Sequence, residues 1–256
     1  MRIIILAAGR GRRLLPLTKE RTKCLINEFN GMSLISVLLK QLDEFSDGIS
    51  DVLIVGGFGF RYLIEEIRPK DFKFKIDFIN NDKYDKYDNC YSLYLALENG
   101  GEDVLIINSD CLFDKKILEK ALKHSGRSFL VVDNFKRLTR ESMKVALDEN
   151  GKIKRLSKTL PIKKSYGEYV GISGIAKTIL KTLKNSLEKA GAKNSNSFYE
   201  DAFDIMLDEV GFEIVSTDGL EWTEIDDFKD LEVARRLYKR LGQSMLKQLS
   251  NPSGFI

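Results

Sequence analysis

Histidine is almost absent from this chain: His124 is the only one in 256 residues. That excludes a zinc site built on two or three histidines and makes any Ser-His-Asp arrangement depend on one residue. His124 falls at the C-terminal end of an expected helix, where dipole and solvent account for it. The three cysteines, Cys24, Cys90 and Cys111, are odd in number and lack the close spacing of a metal site. Reduced thiols in a cytoplasmic setting are the expectation. No apolar run nears the ~20 residues of a membrane helix. The N-terminal run from Ile3 to Ala8 ends in Gly-Arg, too short and wrongly flanked for a signal peptide. Four prolines and 43% hydrophobic residues argue against a low-complexity chain. Charge of one sign is also missing, since 41 Lys and Arg oppose 38 Asp and Glu for a net +3. This argues against a nucleic-acid binder and against an acidic disordered chain.

What is present is an alternating pattern. Residues 2–8 form a continuous apolar run that reads as a central parallel strand. Leu34, Ile35, Leu38, Leu39 and Leu42 give the stripe of a helix packed on a sheet. Strands are expected near 51–55, 74–79 and 104–108, with helices near 60–67, 89–98 and 115–124. This spacing predicts a doubly wound, Rossmann-like α/β layer with a mixed, mostly parallel sheet. The rhythm changes after residue 125. Segments 128–132, 143–148 and 152–157 are strand-like, and Asn150-Gly151 is a strong hairpin signal, so a small antiparallel insertion is expected. A strand near 169–173, helices near 176–190 and 199–210, a strand near 212–216 and a helix over 228–241 complete the chain. The expected organisation is one domain over 1–241, in two parts that divide near residue 125 where the rhythm changes. Residues 242–256 are expected as a tail, frayed from Ser250.

The first motif follows the first strand: Leu6-Ala-Ala-Gly9-Arg-Gly11-Arg-Arg13-Leu14. Glycines let backbone N–H groups approach a phosphate. The dinucleotide fingerprint fails because Leu14 stands where a third glycine belongs, and no Gly-Lys-Ser/Thr completes a P-loop. On glycines alone a plain turn and a ligand loop are equally supported. Arg10, Arg12, Arg13, Lys19, Arg21 and Lys23 break the tie, since an anionic ligand offsets their mutual repulsion. Residues 1–23 carry +6, leaving −3 for the remainder.

This run, with Pro16-Leu-Thr18 and Lys23-Cys-Leu25, resembles the signature of the nucleotidyltransferases that activate sugar phosphates and phospho-alcohols with an NTP. The resemblance implies that the loop of Leu6, Ala7, Ala8, Gly9, Gly11 and Arg12 wraps a triphosphate. It also implies that Arg13 and Lys23 bind phosphates and stabilise the leaving pyrophosphate. Two positions depart from the usual pattern: Arg12 stands where Thr or Ser is common, and Thr22 replaces a proline.

Asn80-Asn-Asp-Lys-Tyr84 with Asn89-Cys-Tyr-Ser92-Leu is similar to the corresponding stretch of the phosphocholine cytidylyltransferase branch. Leu93 and Leu97 read as helix core. Asn89 and Ser92 carry donors and acceptors suited to a pyrimidine edge, although Asn89 reads equally as a helix N-cap. Tyr91 is implied on the substrate side. Asp110 ends the strand Leu105-Ile-Ile-Asn-Ser-Asp110, where open α/β sheets place ligands. In the family such an aspartate pairs with a late acidic residue around Mg²⁺. The segment Glu221-Trp-Thr-Glu224-Ile-Asp226 matches that late site, which implies Asp110 and Asp226 as ligands, with Glu224 as a further candidate. Asp227 reads as helix-capping charge.

Segments Ser142-Met-Lys-Val145, 153–158 and 167–172 also resemble the cytidylyltransferase-like members. Lys158 is implied as holding the acceptor phosphate and Glu168 as touching its alcohol or ammonium end. Phe198-Tyr199-Glu200-Asp201 opens a helix, and acidic first-turn residues suit the dipole, which is a sufficient account; an aromatic and acidic rim would also suit a cationic head group.

The resemblance thus implies Mg²⁺-dependent transfer of CMP from CTP to a small phosphorylated alcohol, with Arg13, Lys23 and Asp110 as the catalytic groups. The partners are CTP or another NTP and the acceptor, with no nucleic acid and no membrane; homo-oligomerisation is left open. The alternatives are a sugar-1-phosphate or inositol-phosphate nucleotidyltransferase and, in a different class, a silent nucleotide-binding regulatory subunit.

Overall fold

The computed structural model describes residues 1–98 and 101–250. Its strands are β1 (Arg2–Ala7), β2 (Asp51–Gly56), β3 (Lys75–Asn80), β4 (Val104–Asn108), β5 (Cys111–Phe113), β6 (Phe129–Asp133), β7 (Lys144–Leu147), β8 (Ile153–Ser157), β9 (Gly167–Ile175), β10 (Glu213–Ser216) and β11 (Trp222–Glu224). Its helices are α1 (Leu34–Glu44), α2 (Phe60–Ile67), α3 (Asn89–Ala96), α4 (Lys115–Leu122), α5 (Leu180–Lys193), α6 (Tyr199–Met206) and α7 (Phe228–Ser250).

β1 is central because both of its faces are apolar. Successive side chains leave a strand on opposite sides, so Ile3, Ile5 and Ala7 enter one core and Ile4 and Leu6 the other. The first core is closed by α1, α2 and α4 through Leu39, Leu63 and Leu118, and the second by α3, α5 and α6 through Leu93, Leu187 and Phe203. The sheet runs β10-β6-β9-β4-β1-β2-β3. β1 pairs in parallel with β2 and β4, β2 with β3, and β6 with β10, while β9 lies antiparallel between β4 and β6. The β7–β8 hairpin turns at Gly151, whose φ is +77°, and hangs on β9 through β7. This is the expected mixed α/β layer with its antiparallel insertion.

The pattern of hydrophobicity did not reveal the ribbon formed by β5 and β11. These three-residue strands pair antiparallel, Trp222 opposite Phe113 and Glu224 opposite Cys111, and the Ile225 amide continues the ladder to the Asp110 carbonyl at 2.9 Å. A third apolar cluster holds the ribbon in place. Leu112 and Ile225 pack with Leu231, Ala234 and Leu237 of α7 and with Leu14 of the first turn. Leu14 is completely buried, so the residue that breaks the dinucleotide pattern is a packing residue.

Helix α7 continues past the expected end at Leu241 to Ser250. The stretch after Gly242 is mostly strong helix formers, and a single glycine costs only about 1 kcal/mol. The segment expected to fray, 250–256, lies beyond the described residues from 251 onward. His124 caps α4 as expected, its Nδ1 lying 2.8 Å from the Lys120 carbonyl. The three cysteines are buried and unpaired, and burial raises the thiol pKa of Cys24 and Cys90 to about 12. Among the described residues no helix is long and apolar enough to cross a membrane.

Asp133, at the end of β6, ties the large sheet to the ribbon. It accepts from Trp222 Nε1 at 2.6 Å and from Thr217 Oγ1 at 3.1 Å in the interior, and from the half-buried Phe135 amide at 2.9 Å. Asp133→Ala would strand these donors, and hydrogen bonds to a charged acceptor are each worth about 1.5–3 kcal/mol. Urea denaturation is expected to show a loss of about 3 kcal/mol or more; a loss below about 1 kcal/mol would contradict this role.

Candidate active site

The carboxyl ends of β1 and β4 lie side by side, Leu6 opposite Asn108. Beyond β1 the chain turns through two glycines with different roles. Gly11 has φ +66°, and a Cβ there would stand 2.7 Å from Lys23 Cβ, so backbone and packing both demand glycine. Gly9 has no such φ, and nothing lies within 4 Å of the place a Cβ would take. The fold itself does not need glycine at 9; the space above it suits a ligand lying against the backbone. The Thr22 hydroxyl donates to the Gly9 carbonyl at 2.8 Å, and Thr18 donates to Gly11 at 2.8 Å. Thr22 therefore ties the turn to the segment carrying Lys23, a role invisible when it is read only as a missing proline.

Asp110 leaves β4, and the β5–β11 ribbon brings Glu224 and Asp226 to meet it. Lys23 Nζ bridges Asp110 Oδ2 and Asp226 Oδ1 at 2.7 Å each, while Arg13 Nη2 holds Asp226 Oδ2 at 2.7 Å. Burial opposes the Lys23 charge, but the two aspartates outweigh it and raise its pKa far above the ordinary lysine value. Burial likewise opposes ionisation of Asp226, and Lys23 and then Arg13 more than compensate, holding its carboxyl below the usual range. Asp227 caps α7 instead, accepting from the Lys229 and Asp230 amides at 2.7 and 3.1 Å, which leaves Asp226 free for the site.

Glu224 lines the cavity and is the most exposed of the three carboxylates. Desolvation first, then the charges of Asp110 and Asp226, push its carboxyl upward. Asp110, Glu224 and Asp226 offer one oxygen each, all within 4.8 Å of one another. Three hard oxygen donors crowded against their own repulsion fit a divalent cation such as Mg²⁺.

These groups line one end of a cavity of about 520 Å³, a size suited to a small-molecule ligand. Leu6, Ala8, Gly9, Gly11, Arg12, Arg13 and Lys23 line it from the first turn. Ala7 does not: strand alternation sends its side chain into the first core. Asn89 and Ser92 line it from α3. The N-cap of α3 is Asp88, whose carboxylate accepts from the Asn89 amide at 2.7 Å, so the capping role read for Asn89 belongs to its neighbour. Asn89 Oδ1 instead accepts from the Tyr199 amide at 2.9 Å, joining α3 to α6. Ser92 Oγ accepts from Asn81 Nδ2 at 2.9 Å, and Asn81 is wholly buried, a link sequence reading did not single out. Tyr91 is not brought to the cavity. It stacks between Tyr87 and Tyr94, with centroids at 5.2 and 6.3 Å, because its position on α3 turns it along the helix surface.

Lys158, Glu168, Phe198 and Glu200 also line the cavity. Lys158 Nζ lies 4.8 Å from the centre of the Phe198 ring. Burial raises the Glu168 carboxyl above its ordinary range. In the sequence Glu200 read as a first-turn acid suited to a helix dipole, with an aromatic and acidic rim as the second reading. In the fold it is 5% exposed, and burial raises its carboxyl to about 8.

Comparison with known proteins places this geometry among relatives. A family described as a domain of unknown function (DUF6564) matches residues 19–235, a stretch that includes Lys23, Asp110, Glu224 and Asp226. The chain is 29% identical to a bifunctional IPC transferase and DIPP synthase of Aquifex aeolicus, over 91% of this chain and 50% of that protein. It is 38% identical to a choline-phosphate cytidylyltransferase of Streptococcus pneumoniae over 44% of this chain and 46% of that protein. It is 28% identical to a CTP:phosphoglutamine cytidylyltransferase of Campylobacter jejuni over 91% of this chain and 98% of that protein. The chain thus spans about half the length of the first two and nearly all of the third. The solved inositol-1-phosphate CTP transferase of T. maritima shares the fold, with a TM-score of 0.75 at 21% identity over 94% of this chain and 95% of that one.

The burial of Glu200 has a consequence for stability. Between about pH 4.5 and 8 the folded chain keeps a proton on Glu200 that the unfolded chain releases, so this group lowers stability as pH rises through that window. Thermal melts at pH 5.5 and 7.5 are expected to show a smaller loss of Tm in Glu200→Gln than in the wild type. Equal losses in both proteins would contradict the assignment.

Proposed function

Because this chain belongs to the DUF6564 family and to the cytidylyltransferase-like branch of the nucleotidyltransferases, we propose that it transfers CMP from CTP to a small phosphorylated alcohol and releases pyrophosphate. The observation that carries the reading is Lys23, held between Asp110 and Asp226 beside the glycine turn. It unites in one place a phosphate-binding cation, an open backbone loop and a hard-oxygen donor set. The names of the relatives support CTP as donor and a phosphorylated small molecule as acceptor.

Residues 1 to about 125 supply the nucleotide side and about 126–241 the acceptor side. The turn at Gly9 and Gly11 takes the triphosphate, with Arg12 beside it. Arg13 and Lys23 hold the phosphate oxygens on which charge grows as pyrophosphate leaves. Asn89 and Ser92 face the base. Asp110 and Asp226, with Glu224, would hold Mg²⁺, which when bound neutralises phosphate charge. Lys158 takes the acceptor phosphate. One of its oxygens attacks the α-phosphorus in line, and the bond from that phosphorus to the oxygen bridging to the β-phosphate breaks. The electron pair leaves with pyrophosphate, so no covalent enzyme intermediate is required. A phosphate monoester is already ionised near neutral pH, so no histidine base is needed, in keeping with His124 being occupied at the end of α4. Catalysis then consists of positioning and charge compensation.

Pyrophosphate release measured with CTP, UTP, dTTP, ATP and GTP against a panel of phosphorylated alcohols and sugar 1-phosphates tests this reading. CTP with a small phosphorylated alcohol is the expected pair. A clear UTP or dTTP preference with glucose-1-phosphate would overturn it, and so would binding of CTP with no turnover on any acceptor. Asp110→Ala is expected to reduce kcat by about a thousandfold or more while leaving the fold intact by circular dichroism; near wild-type turnover would mean the carboxylate site is misplaced.

A further inference from the structure

Strand β3 ends the large sheet: it pairs with β2 on one side and, among the described residues, with no strand on the other. A sheet edge is a template for another strand, and proteins that must avoid pairing shorten it, bulge it or place a proline in it. β3 does none of these. It has six residues, an unbroken register against β2 and no proline. The Asn81 amide donates inward to the Gly56 carbonyl at 2.8 Å. Backbone groups alternate sides along a strand, so the amides and carbonyls of Phe74, Ile76 and Phe78 point outward, away from β2.

The sequence of this edge is symmetric about Ile76. It reads Phe74-Lys75-Ile76-Asp77-Phe78, with charges of opposite sign at equal distances from the centre. When a second copy is laid antiparallel about a two-fold axis at Ile76, Ile76 meets Ile76, Phe74 meets Phe78 and Lys75 meets Asp77. The outward set then forms the pairs that exchange both backbone hydrogen bonds. Lys75 and Asp77 fall at the other positions, where Cα atoms are about 4.5 Å apart and opposed side chains come closest. These two side chains are 72% and 44% exposed and already bond each other within the strand at 2.7 Å. Pairing gives each a second opposite charge across the axis. Neighbouring registers lack the match. One centred on Phe74 sets Lys73 against Lys75 and Asp71 against Asp77, and one centred on Phe78 leaves Asp77 opposite Ile79.

The apolar face of the edge is matched too. Ile76 and Phe78 are half-buried and, with Phe60 and Ile64 one turn apart on α2, line a groove of about 500 Å³ beside the strand. The two-fold brings the groove of one copy against that of the other over the paired strands, which takes these side chains out of water.

We propose that a second copy of this chain binds here: two copies pair antiparallel through β3, centred on Ile76, and their large sheets continue as one. A two-fold interface must be complementary to itself, and this strand is. An unrelated strand would find the hydrogen bonds but not the reflected charges, so the occupant is the chain itself. Lys75, Ile76 and Asp77 lie outside the cavity of Lys23 and Asp110, and the inference stands apart from cytidylyl transfer.

Sedimentation velocity of the full chain over about 1–100 μM tests it. A species of twice the 29.2 kDa chain mass is expected to grow with concentration; a monomer throughout overturns the proposal. Asp77→Lys sets like charges against each other at both symmetric positions and is expected to raise the dimer Kd about tenfold or more, as is Lys75→Asp. Lys75→Asp combined with Asp77→Lys reverses both signs and keeps the match, so its Kd is expected to return to within about threefold of wild type. Ile76→Pro removes an outward N–H without touching the β2 ladder, and edge strands accept proline. It is expected to be monomeric with an unchanged circular dichroism spectrum; if it fails to fold, the charge series decides by itself. A dimer indifferent to the single charge changes, or one that the double change does not restore, overturns the assignment to β3.

Discussion

One ammonium group organises this protein. Lys23 Nζ is shared between Asp110, at the end of a central strand, and Asp226, more than a hundred residues later. Without it, three carboxylate oxygens would stand within 4.8 Å of one another with Arg13 alone in an ion pair with any of them. Taking opposite charges from water is costly, and removing one partner of such a pair is costlier still. Much of the architecture serves to hold these charges in register. The β5–β11 ribbon fixes Asp226 relative to Asp110, α7 and Leu14 pack the ribbon down, and Thr22 ties the glycine turn to Lys23.

The same contact gives the ligand-free site its electrostatic state. The cations suited to a triphosphate rest on the carboxylates suited to a divalent cation. Under the proposed function, Asp110 and Asp226 would hold a divalent cation only as Lys23 and Arg13 turned to phosphate oxygens, so metal and nucleotide would be expected to favour each other's binding. A near-neutral chain with +6 in its first 23 residues and −3 in the rest suits such an exchange, since the basic segment and the acidic ligands come from opposite parts of the sequence.

The strand and helix pattern was legible in the sequence because the core is strongly periodic. Both faces of β1 are apolar, α1 carries an unbroken stripe, and Asn150-Gly151 announces its hairpin. Asp110, Glu224, Asp226, Arg13 and Lys23 were legible as a set only through motif resemblance, since nothing in their spacing shows that they meet. The ribbon that joins them has strands of three residues, too short for any period to register. Tyr91 and Ala7 were misplaced for a related reason: a motif identifies a segment, but the turn of a helix or the pleat of a strand decides which of its side chains faces the ligand. Glu200 was half legible: an acid in the first turn of a helix suits the dipole, and beside Phe198 it also suggested an aromatic and acidic rim, but its burial and its unpartnered oxygen show only in the fold.

The most direct test of the account is a crystal structure with Mg²⁺ and a non-hydrolysable CTP analogue. The account predicts that Lys23 Nζ leaves Asp110 and Asp226 for phosphate oxygens of the nucleotide, that a cation takes its place against both aspartates, and that the triphosphate lies along the backbone at Gly9. A nucleotide bound elsewhere, with Lys23 still bridging the two carboxylates at its present 2.7 Å, would contradict it.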